Sequence, residues 1–165
     1  MKKTLVIIIL VVYISSIVVV NLFGLEDKVF DGVDYVNRIE CETVIFQNNG
    51  NPVELGPKQI IEGVPLFVFN FIPAPAGKTY TTEPESINSN PNIVKIDPKA
   101  IPATADNTKL KVIFDEAALD GVAIYHEASR SFIFLKEKKI VDIIIEASDG
   151  HKASTKISIM GLVPK

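Results

Sequence analysis

Few side chains in this 165-residue sequence combine the chemistry and the spacing of a reactive site. The histidines are His126, which precedes Glu127, and His151. An imidazole can act as a general base when a serine or an acid lies beside it. The sequence lacks phosphate-binding glycine loops, zinc-protease motifs and serine-hydrolase elbows. We therefore predict no catalytic residue, and we expect both histidines at the surface, at the ends of hairpins.

A group of acidic residues is the candidate for a metal site. Asp115, Glu116 and Asp120 precede Gly121, and Ca²⁺ is bound by several oxygen ligands within a loop. The alternative is a solvated turn in which these residues cap a short helical fragment. We favour the cap, and we predict neither a metal nor another cofactor.

Cys41 is the single cysteine, which excludes an internal disulfide. It could form a bridge to another chain or remain a free thiol. Between residues 35 and 42 the odd positions are the more apolar ones and the even positions carry the charges. The alternation turns Cys41 inward beside Ile39, so we predict a buried residue that behaves as a small hydrophobe.

The first element of the chain is an uncharged stretch from Leu5 to Phe23, composed almost entirely of Leu, Ile, Val and Phe. As a helix it would be roughly 28 Å long, close to the roughly 30 Å of a bilayer core. The sequence predicts a membrane anchor at residues 1–25, with the lipid bilayer as a partner. The anchor includes Leu5, Leu10, Ile17 and Phe23.

The charges around this stretch predict its orientation. Lys2 and Lys3 precede it, and acidic residues begin only at Glu26, so the N-terminus is expected in the cytoplasm and the rest outside it. A cleaved signal peptide has the same layout. We favour a retained anchor because the apolar stretch is longer than a usual signal core and no small-x-small cleavage site follows it.

The net charge of the exported part limits its partners. The chain has 17 basic and 20 acidic residues, and only Lys2 and Lys3 lie before the anchor. Residues 26–165 therefore carry 15 basic and 20 acidic residues, a net charge of −5. A mildly acidic domain argues against nucleic acid as a partner and against binding flat on an anionic membrane.

The exported part is predicted to be all-β, because short β-branched and aromatic segments alternate with turn residues. We predict a membrane-proximal strand or stalk at 26–52 and a β-sandwich at 53–165, with Phe67, Phe69 and Phe71 in the core. In the closing hairpin, a three-residue loop with positive φ at Gly150 would pair Val141 with Ile157. The predicted strands are 35–46, 53–55, 64–71, 93–97, 110–114, 122–126, 132–135, 140–147 and 153–160.

One segment resembles a known family. Residues 89–97 read Ser-Asn-Pro-Asn-Ile-Val-Lys-Ile-Asp, which is similar to the S-N-P-x-[IV]-[AV]-x-[IV]-[DN] signature of bacterial immunoglobulin-like domains of group 2. The segments 64–73 and 147–159 resemble that family more loosely. The sequence departs from the family in having no Trp and in a longer stretch between Asp97 and Asp142.

The resemblance implies an immunoglobulin-like β-sandwich that serves adhesion, spacing or assembly on microbial and phage surfaces. The family has no catalytic residues that could be assigned to this chain. Together with the anchor it predicts a single-pass, extracytoplasmic module that binds a protein or a glycan. The alternative is an accessory subunit of a membrane or phage-related assembly, recruited through Ser15, Ser16 and Asn21 of its transmembrane helix. A third hypothesis, an exported enzyme, requires a histidine and an acid to converge in one cleft.

Overall fold

Short strands dominate the computed structural model, which describes residues 34–48 and 50–165. The predicted anchor, with Leu5, Leu10, Ile17 and Phe23, lies outside these residues. Among the described residues, no helix is both long enough and apolar enough to cross a bilayer. The compact unit that holds the strands spans Val36–Lys165.

The chain contributes strands from both sides of the predicted boundary at residue 52. The helices are α1 (Pro84–Asn88) and α2 (Glu116–Leu119). The strands are β1 (Arg38–Glu40), β2 (Val44–Asn48), β3 (Asn51–Leu55), β4 (Gln59–Ile61), β5 (Val64–Asn70), β6 (Ile93–Ile96), β7 (Lys99–Ile101), β8 (Leu110–Phe114), β9 (Ala123–His126), β10 (Ser131–Phe134), β11 (Ile140–Ala147) and β12 (Ser154–Leu162).

These strands form two five-stranded sheets and one two-stranded ladder. The first sheet has the order β3-β2-β6-β10-β9, and the second has the order β4-β5-β12-β11-β8. The ladder joins β1 to β7. Neighbouring strands are antiparallel except β5 and β12, which run parallel. The domain is therefore mostly β, as predicted, and its sheets are compatible with a β-sandwich.

An aromatic cluster joins the two sheets. The Phe69 ring of the second sheet lies 5.0 Å from the Phe46 ring and 4.9 Å from the Phe134 ring of the first, measured between centroids. Phe67, Phe69 and Phe71 are all buried, which confirms the predicted core strand. Alternation along β5 turns Phe67 and Phe69 to one face, and Phe71, directly after the strand, continues that alternation.

The segment predicted as one strand from 35 to 46 is two strands. Residues 41–43 separate β1 from β2 and belong to neither strand, and β2 lies inside the first sheet between β3 and β6. The described part of the predicted stalk thus contributes an interior strand. Cys41, at this junction, is buried as predicted.

The closing hairpin corrects the predicted register. Val141 lies opposite Ile159, and Ile143 lies opposite Ile157, so the predicted pairing of Val141 with Ile157 is wrong by two residues. The Ala147 N–H donates to the Ala153 carbonyl at 2.9 Å, which leaves residues 148–152 as the loop. A shift of two residues preserves the faces, so the odd positions of β11 are buried as predicted.

The longer loop has a physical cause in Asp149. One carboxylate oxygen of Asp149 accepts the Val36 N–H at 2.7 Å, and the other accepts the His151 N–H at 3.0 Å. These bonds draw residue 149 toward the start of the unit rather than into a tight turn. Gly150 has φ +95°, which confirms the predicted left-handed residue.

One of the two short helices agrees with the prediction and the other does not. The helical turn expected after Asp115 is α2. The polar stretch from 83 to 92 was predicted without a helix, yet it contains α1, which begins at Pro84. Proline suits the first helical position because its fixed φ is helical and its missing N–H is not needed there.

Candidate binding surface at the end of the sheets

The predicted calcium candidates surround α2 as caps. The Asp115 carboxylate accepts the Ala117 N–H at 2.9 Å, Glu116 lies in the first turn, and Asp120 ends the helix. Among residues 34–48 and 50–165, no group of three or more His, Cys, Asp or Glu side chains could hold a metal ion. The Asp115 bond is the helix cap of the favoured interpretation.

The histidines lie on separate hairpins. His126 ends β9, where its Nδ1 lies 2.9 Å from the Ser129 hydroxyl across an exposed turn. His151 lies in the loop between β11 and β12. A hydrolase site would need a third, orienting group and an enclosed cleft around such a pair.

A buried pair of asparagines builds the most developed polar feature of the described domain. The Asn92 side chain accepts the Ile72 N–H at 2.7 Å and donates to the Ile72 carbonyl at 3.0 Å. Asn90 accepts from the Asn92 backbone N–H at 2.8 Å and donates to the Phe134 carbonyl at 2.7 Å. Because both side chains are buried, these bonds are strong and specify one geometry.

This network holds the loop that follows β5. Ile72 follows β5 of the second sheet, whereas Phe134 ends β10 of the first sheet. Asn90 and Asn92 thus link both sheets at one end and fix where residues 73–80 leave the core. The sequence Pro73-Ala74-Pro75-Ala76-Gly77 cannot continue a strand ladder.

Tyr80 ends this loop against the core. Its ring packs edge-on to the Phe71 ring, with centroids 6.2 Å apart. Burial raises the pKa of Tyr80, and a hydrogen bond with the Asn92 side chain partly offsets that rise. Tyr80 is half-buried, so one part of its ring is anchored while another stays accessible.

Two clefts flank the loop. One, of about 780 Å³, lies toward α1 and is lined by Ile72, Pro91, Glu85, Ser86 and Ser89 together with the loop. The other, of about 320 Å³, lies toward Leu135, Lys136, Glu137 and Val163. Both clefts share Pro73, Ala74, Lys78, Thr79 and Tyr80. We call the loop and its two clefts the loop-end surface.

The loop-end surface offers mixed recognition chemistry. Tyr80 and the prolines present apolar faces, and Lys78 and Lys136 present ammonium groups. The Glu137 Oε2 atom is shielded from solvent and has no hydrogen-bond partner among the described residues. An apolar platform with a few convergent polar groups is the usual composition of a ligand site.

Sequence reasoning missed this surface. The sequence predicts a strand that ends at residue 71 and assigns no role to residues 73–80. The available signal was the combination of a proline-rich loop, an aromatic residue and two asparagines spaced by one residue at 90 and 92. Their convergence depends on β10, which lies some forty residues downstream.

The described residues form a mostly β domain with two clefts at one end of its sheets. Comparisons of the chain with protein-family models, with curated proteins and with solved structures found no match. A function for the domain must therefore be inferred from its own geometry rather than from relatives.

Proposed function

We propose that the exported part is an immunoglobulin-like β-sandwich of the bacterial group 2 type. In an immunoglobulin constant domain, strands A, B, E and D form one sheet and C, F and G the other. Assigning β6 and β8–β12 in chain order to B–G gives β6-β10-β9 as B-E-D and β12-β11-β8 as G-F-C. Strand β2, beside β6, takes the position of A. This strand order is the main support for the proposal.

The Ser-Asn-Pro segment also supports it. Asn90 and Asn92 lie directly before β6, and their side chains join the two sheets. A motif that performs this structural task would keep the same residue types wherever this geometry recurs. The hydrophobic pattern of β6 follows from its position, since Val94 and Ile96 are buried.

The module is proposed to stand outside the cytoplasmic membrane on a single transmembrane anchor. The uncharged stretch from Leu5 to Phe23 and the preceding Lys2 and Lys3 support this placement. Protease treatment of intact protoplasts, followed by fractionation, tests it. Degradation of the domain with retention of an N-terminal fragment in the membrane is expected, whereas a fully protected domain contradicts the proposal.

Its function is proposed to be binding of a protein or glycan through the loop-end surface. The observation that carries this is the pair of clefts that share Tyr80 and Lys78, on a loop held by buried asparagines. Tyrosine anchors are energetically dominant in many interfaces because a large ring is buried at a small entropic cost.

A binding experiment tests this function. Glycan arrays and pull-downs from surface extracts would be performed with the full chain, with Tyr80→Ala and Lys78→Ala, and with Lys111→Ala as a matched control on β8. We expect each loop variant to lose at least about tenfold in affinity and the control to bind normally. Equal binding by all four chains would exclude the loop-end surface.

The second candidate is an accessory subunit recruited through its membrane helix. Ser15, Ser16 and Asn21 favour it, since polar and small residues mediate helix contacts in bilayers. Replacing all three with Leu and repeating a detergent pull-down separates the two functions. Loss of partners would support the subunit, and an unchanged set of partners would leave only the loop-end surface.

A further inference from the structure

The two five-stranded sheets expose four edge strands, and they protect these edges unequally. The edges are β3 and β9 in the first sheet and β4 and β8 in the second. An exposed edge is a template for pairing with another chain, so proteins usually block it with proline, charge or a covering group.

Three of the edges are blocked or poor in exposed apolar side chains. β3 contains Pro52 and Glu54. At β8, the Arg130 guanidinium donates to the carbonyl of Leu110, the first residue of the strand, at 3.4 Å and to the carbonyl of Asn107, which precedes the strand, at 2.8 Å. β9 has no large hydrophobic residue that is strongly exposed.

β4 has neither kind of protection. Its residues Gln59, Ile60 and Ile61 are all exposed, with Ile60 at 67% and Ile61 at 44% of their full accessibility. Among the described residues β4 pairs only with β5. The strand is held extended by a two-residue turn in which Glu62 and Gly63 both have positive φ, the geometry of a hairpin turn that matches strand twist.

The residues around β4 are complementary to themselves. The segment reads Lys58-Gln59-Ile60-Ile61-Glu62. When two copies pair antiparallel with Ile60 at the centre, Ile60 faces Ile60 and Gln59 faces Ile61. Lys58, just before the strand, then lies beside Glu62, the first residue of the turn, at both ends of the paired strands. Moving the register by one residue places Lys58 opposite Gly63 or Ile61 and loses both charge pairs.

We propose that β4 is a self-association edge, at which two copies of this chain join their second sheets through antiparallel β4 strands with Ile60 on the twofold axis. A twofold interface must be self-complementary, and this segment satisfies that condition in charge and in hydrophobicity. Backbone hydrogen bonds would supply affinity, and the two Lys58–Glu62 pairs would select the register.

Cysteine cross-linking of the full chain tests the register. Directly opposed residues in an antiparallel pair have Cα atoms about 4.5–5.5 Å apart, within the range that a disulfide bridges. Ile60→Cys should therefore form covalent dimers under mild oxidation. Ile61→Cys should not, because its copies lie on the diagonal, about 7–8 Å apart. A mixture of Gln59→Cys and Ile61→Cys chains should form heterodimers.

The matched controls are present in the chain. The unmodified protein contains only the buried Cys41 and should not cross-link. Val53→Cys places a thiol on the edge strand β3, where Val53 is 40% exposed, close to the 44% of Ile61, and this variant should remain monomeric. Far-UV circular dichroism of each variant confirms that the sheets are intact.

Charge reversal provides the second measurement. In the Ile60→Cys background, Lys58→Glu should slow dimer formation by roughly three- to tenfold, because like charges then face each other twice. Adding Glu62→Lys should restore the rate. Four results would each overturn the proposal. Ile60→Cys could remain monomeric, Ile61→Cys could cross-link to itself, residue 60 could capture a different protein, or Glu62→Lys could fail to restore the rate of dimer formation.

Discussion

Gly161 on β12 is the glycine at which one added methyl group should lower the free energy of unfolding most. Gly161 pairs with Phe69 across the parallel ladder between β12 and β5. A Cβ atom at residue 161 would lie 2.6 Å from the Cζ atom of Phe69 and 3.1 Å from both Cε atoms. Gly161 has no positive φ, so the conflict in Gly161→Ala is one of volume alone.

The magnitude follows from how little the Phe69 ring can move. Carbon atoms in contact are usually about 3.5–4.0 Å apart, so the ring would have to retreat by about 1 Å. The rings of Phe46 and Phe134 lie 5.0 and 4.9 Å from it and block that retreat. Overpacking of this kind costs about 1–3 kcal/mol. Replacing glycine recovers about 0.4–1 kcal/mol of chain entropy, which leaves a net loss of roughly 1–2 kcal/mol.

Urea titration of the full chain in a mild detergent, followed by tyrosine fluorescence, measures this loss. With a slope of about 1–3 kcal/mol/M, the midpoint should fall by roughly 0.5–1 M. The matched control is Gly56→Ala, because a Cβ atom at residue 56 would have no neighbouring atom within 4 Å and the residue has no positive φ. The control should be neutral or slightly more stable.

A double-mutant cycle with Phe69→Leu isolates the contact. Leu removes the ring atoms nearest the new methyl, so the double variant should be more stable than the sum of the single changes by about 1 kcal/mol or more. A Gly161→Ala midpoint equal to that of Gly56→Ala, or strictly additive single changes, would refute the steric argument.

Three further residues, Cys41, Asp149 and Asn92, give testable outcomes. Burial raises the pKa of the Cys41 thiol to about 11, so a thiol reagent at pH 8 should label the native chain far more slowly than the chain in urea; rapid native labelling would contradict the buried position. The stability contributed by the neutral thiol should be complete below pH 9.0 and lost as the pH rises toward about 11. Although partial burial opposes it, hydrogen bonds from the Val36 and His151 N–H groups lower the pKa of Asp149. The stability difference between the natural chain and Asp149→Asn should therefore be complete above pH 3.8 and shrink as the pH falls through the lowered native pKa. A difference independent of pH in acid titrations would argue against these bonds. Asn92→Leu should lower the free energy of unfolding by about 2–4 kcal/mol in urea titration, because it leaves the N–H and C=O of the half-buried residue Ile72 without their Asn92 partner. A loss below about 0.5 kcal/mol would show that the network is dispensable.

The local features of the fold could be predicted because they depend on residues close in sequence. Alternation over a few positions identifies the buried face of β11 and the buried phenylalanines 67, 69 and 71 in and directly after β5. The Asp-Gly dipeptide requires a left-handed residue at Gly150, and the carboxylate before α2 caps the helix whatever lies elsewhere in the chain.

The register of the closing hairpin was decided by tertiary structure. Asp149 bonds to Val36, 113 positions away in sequence, and that contact favours a five-residue loop over the tighter turn that the local sequence allows. Both loops keep the same residues buried, so hydrophobic pattern alone cannot distinguish them.

The loop-end surface depends on tertiary structure for the same reason. Tyr80, Lys78 and Glu137 become neighbours only after Asn90 and Asn92 join β10 to the end of β5. The close approach of Gly161 to Phe69 likewise arises from a parallel pairing of strands about ninety residues apart. Periodicity specifies which side of a strand is apolar. Which strand pairs with it depends on competition among many similar strands, through contacts between residues that are distant in sequence.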